Sequence, residues 1–321
     1  MIPPRPSEGR GVFRARLPPR VAAALALALA LSGPAAPRAQ AYVRYKTKSG
    51  TPFFWAQTWI PVFAYPASMK DASGHMDMTS DEIMHAAAGA ADAWSGSSNS
   101  CTFLEINVTA HAEAPPSTKL DWNNILIFEP ANWCGPKDKA GKCTYPREAL
   151  AITSVFNSKS SGQILDADIE VNATFAWADL EKMPGDGTRQ DLQNALTHEM
   201  GHLIGLDHTC FPAAAAGDPP VDQNGAPVPF CENAPPDVQA TTMFASAIPG
   251  DIAKRTLAPD DVQAVCDIYP LAEDPMVYPV KDQPPDQGCA LGPVPRGEGP
   301  GAALAALGVL AFAARRRRRS R

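Results

Sequence analysis

Positive charge is scarce in the middle of this chain. Between Tyr42 and Gly288 there are 15 Lys and Arg against 32 Asp and Glu, a net charge of −17, whereas the full 321 residues carry −6. Gripping a phosphate backbone takes clustered basic side chains, so no nucleic-acid partner is expected. Long apolar runs are also lacking. Val21–Leu31 and Ala302–Ala314 are both apolar, but a membrane-spanning helix needs about 20 such residues. No internal repeat is visible, which argues against a solenoid. Histidine is rare, with six in the chain, yet three of the six fall in HEMGHLIGLDH, residues 198–208.

The two ends differ from the body. Arginines, the short apolar run Val21–Leu31 and then Ala39-Gln40-Ala41 follow the order of a secretory signal. Residues 1–41 are therefore expected to be a signal peptide, and residues 42–272 the working domain. A Pro-rich linker, 273–288, leads to a tail, 289–321, holding Cys289, the apolar stretch and the arginines Arg315–Arg319. The apolar stretch is marginal for spanning a membrane, and the arginines are placed to stay on the inner side of one. A plain disordered basic tail is the alternative.

Six cysteines lie in the domain and Cys289 in the tail. An exported chain with an even cysteine count is expected to form disulfides. Cys134–Cys143 and Cys210–Cys231 each close a short loop bearing Gly and Pro, which leaves Cys101 for Cys266.

Pattern and punctuation predict strands at 55–66, 101–109, 124–130, 149–156 and 162–172. Thr79 or Ser80 begins an Ala-rich helix ending at Trp94. Thr188 and Asp191 form a capping pair for a second helix, which Gly205 stops. Residues 211–240 form a long irregular loop, and 258–270 a last helix. This order implies an α/β (α+β) domain with a mixed sheet and a cleft beside the second helix. In GQILDADIEVN, Asp166, Asp168, Glu170 and Asn172 alternate with apolar residues, so one face of that strand is polar and anionic.

Residues four apart share a helix face, so His198 and His202 can grip one Zn2+ from the same side. Gly205 turns the chain, and His208 returns as a third ligand. Three protein ligands leave one position open, as in catalytic rather than structural zinc. Glu199 is placed to act as general base toward a water on that metal. A helix whose histidines merely face water explains neither the stop at Gly205 nor His208. His75, His85 and His111 lack ligand spacing and are expected to be structural or exposed. The tryptophans are expected to pack in the core or cleft.

HEMGHLIGLDH resembles the elongated zinc motif of the metzincin peptidases, and TTMFAS (241–246) resembles their Met-turn. The closing Gly-Leu-Asp-His and a final helix with Asp260, Asp261 and Tyr269 are most similar to matrixins. The resemblance spans roughly Trp55 to Tyr269. It implies a mostly parallel, twisted mixed sheet with an active-site helix, and Met243 beneath the zinc. It implies a monomeric endopeptidase acting on protein or peptide substrates laid along the edge strand 149–156. A non-catalytic, zinc-containing surface binding protein is the alternative. The chain departs from the pattern in four places. Ala245 stands where some metzincins carry a tyrosine ligand. Phe244-Ala245 replaces Tyr-Pro in the wall of the pocket that follows the scissile bond. Asp168 stands where matrixins carry a structural-zinc histidine, so no second zinc is expected. Ca2+ beside Asp166, Asp168 or Glu170 is one reading of that strand, and a solvated face is the other. No Pro-Arg-Cys-Gly switch is present. The tail resembles the sorting tails of myxobacterial surface and secreted proteins, which implies transient membrane contact through it and then processing near Cys289.

Overall fold

A computed structural model describes residues 42–213 and 218–277. The expected signal peptide, most of the linker and the tail lie outside the described residues. So do Ala214–Gly217 within the long loop.

The centre is a five-stranded sheet in the order β3-β2-β4-β6-β5. Its strands are β2 (Trp59–Ala64), β3 (Glu105–Ala110), β4 (Ile125–Glu129), β5 (Ala151–Asn157) and β6 (Ile164–Asn172). β2, β3, β4 and β6 pair in parallel. β5 runs antiparallel to β6 and forms one edge. The fold is thus a mixed α/β domain with a mixed sheet. Four two-residue strands form two further ladders: β1 (Val43–Arg44) pairs with β9 (Leu206–Asp207), and β7 (Trp177–Ala178) with β8 (Gln190–Asp191).

Helix α1 (Ser80–Trp94) bridges β2 and β3. Thr79 caps it in a full capping box with Glu82, which satisfies two otherwise orphan N–H groups. Ile83, Ala86, Ala87, Ala90, Ala91 and Trp94 are buried, the spacing of a single helix face. Small alanines let α1 lie close to helix α2 (Leu192–Leu203), and Trp94 Nε1 donates to the Thr197 carbonyl at 2.8 Å. Helix α3 (Pro259–Ile268) closes the domain. At its end the Tyr269 hydroxyl donates to the Ile204 carbonyl at 2.6 Å, tying α3 to the last turn of α2.

The expected disulfides Cys101–Cys266, Cys134–Cys143 and Cys210–Cys231 are all formed. The first ties the approach to β3 onto α3, and an isolated bridge joins Thr102 to Pro270 beside it. That tether explains why β3 begins at Glu105 rather than at Cys101 as predicted. Disulfides persist in oxidising surroundings, so the chain has the chemistry of an extracellular protein. Among the described residues no helix is long and apolar enough to cross a membrane.

Two expectations need correction. Thr188 does not cap α2; its hydroxyl donates to Asp186 at 2.6 Å, and Asp191 itself is the cap, accepting from Asn194 N at 2.8 Å. Nor is the anionic face of β6 solvated. Asp166, Asp168, Glu170 and Asn172 are all buried: the segment 119–122 supplies backbone donors to Asp166 and Asp168, the Tyr145 hydroxyl donates to Glu170, and Asn172 donates to the Ala149 carbonyl.

Candidate metal centre

Helix α2 presents His198 and His202 one turn apart. Between them Gly201 passes close to Met243: a Cβ at position 201 would lie 2.2 Å from its sulfur and 2.9 Å from Trp94. Glycine inside a helix costs about 1 kcal/mol, and here the close approach requires it. Met243 is thus buried against the histidine-bearing turn. The segment around it is pinned from two sides. Thr209 N donates to the Met243 carbonyl at 3.1 Å, and Thr242 N donates to Asp261 of α3 at 2.8 Å.

The helix ends where Gly205 adopts φ +96°, beyond which β9 pairs with β1. This short ladder carries His208 back over α2. His208 Nε2 lies 3.1 Å from Nε2 of His198 and 3.1 Å from Nε2 of His202.

Hydrogen bonding on the far side of two rings settles what these nitrogens are. His198 Nδ1 donates to the Thr242 carbonyl at 2.6 Å, and His202 Nδ1 to the Leu206 carbonyl at 2.8 Å. A carbonyl only accepts, so both Nδ1 atoms carry the proton. Burial holds the His202 pKa down at about 4 and those of His198 and His208 well below the ordinary value, with the Lys254 charge adding to the effect at each. The rings are therefore neutral at pH 7, and Nε2 of His198 and of His202 is a bare lone pair. His208 can donate a proton to only one of them. Convergent lone pairs without protons between them call for a cation. Two nitrogens on a tetrahedral zinc sit about 3.3 Å apart, close to the separations found. Among the described residues this is the one group of three or more His, Cys, Asp or Glu side chains placed to hold a metal ion. The residues present therefore fit a metal.

The histidines line a cleft of about 660 Å3 together with Glu199 and the edge strand β5. Glu199 is buried, and desolvation raises its pKa to about 7. The Thr153 hydroxyl of β5 donates to Glu199 Oε2 at 2.6 Å. Sequence reasoning missed Thr153, since 46 residues separate it from Glu199 and no local signal marks it. It also missed Lys254, which lines the same cleft and whose pKa burial draws down to about 8.

Asp166, Asp168 and Glu170 lie apart from this centre and do not converge on a common point. Asp166 Oδ2 accepts from the N–H groups of Asp121 and Trp122 at 2.7 and 2.9 Å. Asp168 accepts from Lys119 N at 2.9 Å and Ile125 N at 3.3 Å. Glu170 accepts from the Tyr145 hydroxyl. Backbone donors thus meet both oxygens of Asp168 and one of Asp166, whose buried Oδ1 has no hydrogen-bond partner among the described residues. His75 and His85 are exposed, and His111 packs against Phe63. Trp55, Trp94 and Trp177 are core residues.

No protein family and no curated protein matches the sequence. Among similar solved structures is one titled "GM1 bound form of the ECX AB5 holotoxin", at 13% identity and a TM-score of 0.35, covering 73% of this chain and 90% of that one. A likeness of that size carries no argument about this chain, so the reading of the site rests on its own residues.

Proposed function

We propose that the chain is an exported zinc endopeptidase of the matrixin-like metzincin type. One observation carries this reading: the bare Nε2 atoms of His198 and His202 converge with Nε2 of His208 in a cleft beside a buried carboxylate, along an edge strand. His198, His202 and His208 would hold the ion, and three ligands leave room for a water and a substrate carbonyl. When bound there, zinc supplies Lewis acidity, lowering the pKa of a water toward about 7 and polarising the scissile carbonyl.

The remaining work falls to the chain's own groups. Strand β5 is an edge, so its free backbone groups can pair with an extended peptide and lay it across the cleft. Glu199, next to His198, takes the proton of the attacking water and returns it to the departing amine. Thr153 holds Oε2 in place, so the other oxygen is the one that works. Met243 and Gly201 fix the helical turn, and the Thr242 and Leu206 carbonyls orient two of the rings. The disulfides and the expected leader support export, and the tail supports retention at a membrane before release. The rival reading, a zinc-containing surface binding protein that cuts nothing, leaves Glu199 and its hydrogen bond from Thr153 without a purpose.

The test is proteolysis of fluorescent casein or gelatin by zinc-loaded protein, with and without chelator. Activity should need the metal. Glu199→Ala should keep stoichiometric zinc and lose turnover by roughly 100- to 10,000-fold. Zinc-loaded wild type that turns over nothing in a broad peptide library would sink the enzyme reading.

A further inference from the structure

Lys254 has no part in the chemistry above, yet it is built into the same cleft. It lies in a single helical turn, Ala253–Arg255, and is 7% exposed. Its backbone N–H donates to Asn194 Oδ1 of α2 at 2.7 Å, which anchors the residue one turn before His198. Its Nζ donates to the Phe244 carbonyl, just after Met243. It lines the cleft, whose lining also includes the small residues Ala195, Ala245, Ser246 and Ala247. Its charge is felt at Glu199 and at all three histidines.

An ammonium has three donors, and a buried one is expensive unless it is paired. Among the described residues no carboxylate oxygen lies within 4.0 Å of Lys254 Nζ, although six Lys or Arg ion pairs are formed elsewhere. One carbonyl is its only recorded partner. Asp251, Glu199 and Asp261 act on its charge only from beyond contact distance, and the residue lines the cleft, so a carboxylate in direct contact has to come from a bound molecule.

We propose that Lys254 is a specificity residue that pairs with a carboxylate of the bound peptide, next to the bond that is cut. The inference rests on the peptidase reading for the identity of the bound molecule. The carboxylate has two sources: an Asp or Glu side chain flanking the scissile bond, or the free C-terminus of a peptide that ends in the cleft. The first makes the protein an endopeptidase with acidic preference. The second makes it a carboxypeptidase that releases short C-terminal fragments.

Matched quenched peptides distinguish these. They carry Glu, Gln, Leu or Lys at the positions flanking one bond, each with a free or an amidated C-terminus. With zinc-loaded wild type, kcat/KM should favour the carboxylate over its amide counterpart by about 10- to 100-fold, the size of a charged hydrogen bond. A preference that follows the side chain identifies the first source, and one that follows the free terminus the second. Lys254→Met should abolish the preference, Lys254→Arg should retain most of it, and Lys254→Glu should shift it toward lysine. Equal rates on Glu and Gln peptides and on free and amidated termini overturn the proposal, as does a preference that survives in a folded Lys254→Met. The wild-type comparison needs no variant to fold. If no peptide is cut, fluorescence anisotropy reads binding of the same peptides to the zinc-loaded protein. A carboxylate preference lost in Lys254→Met then upholds Lys254 while the peptidase reading fails, and binding without preference overturns both.

Discussion

Lys254 and Arg255 are consecutive, occupy the same helical turn and are almost equally buried, at 7% and 9% exposure. Their surroundings are opposite. Arg255 donates to Asp191 through Nε at 2.8 Å and a terminal nitrogen at 2.6 Å, to Asp179 at 2.5 Å and to Glu181 at 2.8 Å. Lys254 has a single carbonyl. The planar guanidinium, with five fixed donors, suits a network completed by the fold. The ammonium of Lys254 faces the cleft with donors to spare. The same contrast runs through the domain. Asp191 has both oxygens spent on capping α2 and holding Arg255 and Leu180, whereas His198, His202, His208 and Lys254 line the cleft. A group completed inside the fold contributes stability, and a group left incomplete at a cleft is available to a ligand.

The largest effect should come from breaking the completed side. Arg255→Met strands Asp191, which is both the cap of α2 and fully buried. Removing one partner of a buried pair costs about 3 to 5 kcal/mol, seen as a matching loss in urea midpoint. Glu181 is mostly exposed and should account for little of it. Lys254→Met, one residue away, should change stability by less than about 1 kcal/mol, since it removes no ion pair and an apolar chain of similar length fills its place. Equal losses in the two variants would erase the contrast.

The next effect separates ligand-dependent from intrinsic stability. Zinc binding to the native state alone should stabilise wild type by about 2.7 kcal/mol at 100 times its Kd. His202→Ala should lose stoichiometric zinc, and with it that increment in thermal midpoint. In chelator its stability should lie much closer to wild type. Retained stoichiometric zinc in His202→Ala would contradict the ligand assignment.

The same division explains what was legible in the sequence. Groups that act on near neighbours could be read: the Thr79–Glu82 capping box, the four-residue spacing of His198 and His202, the stop at Gly205, and the strands over 125–129 and 164–172. The two short disulfide loops were legible as closed loops, and Cys101–Cys266 followed from the remaining pair. Groups whose partners are far away in sequence could not. Thr153, Lys254 and Arg255 sit in segments with no local periodicity, and their roles appear only when β5, α2 and the turn before α3 meet. The two-residue ladder of β1 with β9 was invisible for a similar reason, because backbone pairing so short leaves no side-chain pattern. Asp191 was read as the far end of a capping pair, three residues out of place, because cap identity depends on where the helix is forced to start. The alternation in β6 was read correctly, but alternation reports which residues share a face and not what covers that face.

The smallest effect tests that covered face. Burial, then the neighbouring Asp166, raises the Asp168 pKa to about 7, while hydrogen bonds from Lys119 N and Ile125 N pull it back. The nearby charges acting on it are Asp166 and Asp121, both carboxylates. In the unfolded chain the same group titrates near 3.8. The folded state therefore binds the proton more tightly, and stability attributable to Asp168 is fully present below about pH 4. It declines as pH rises toward 7 and is level above that. Asp168→Asn cannot ionise and should lack this decline. Relative to wild type, the variant should gain on the order of 3 kcal/mol between pH 4.5 and 8, read from urea unfolding at several pH values. Identical slopes in the two proteins would mean that Asp168 is not held in the desolvated, backbone-bonded state described here. The same titration with millimolar Ca2+ sharpens the point. If backbone N–H groups complete this face, calcium should leave the wild-type slope unchanged. A slope that calcium abolishes in wild type, with no effect on Asp168→Asn, would move β6 from the completed groups to the ligand-seeking ones.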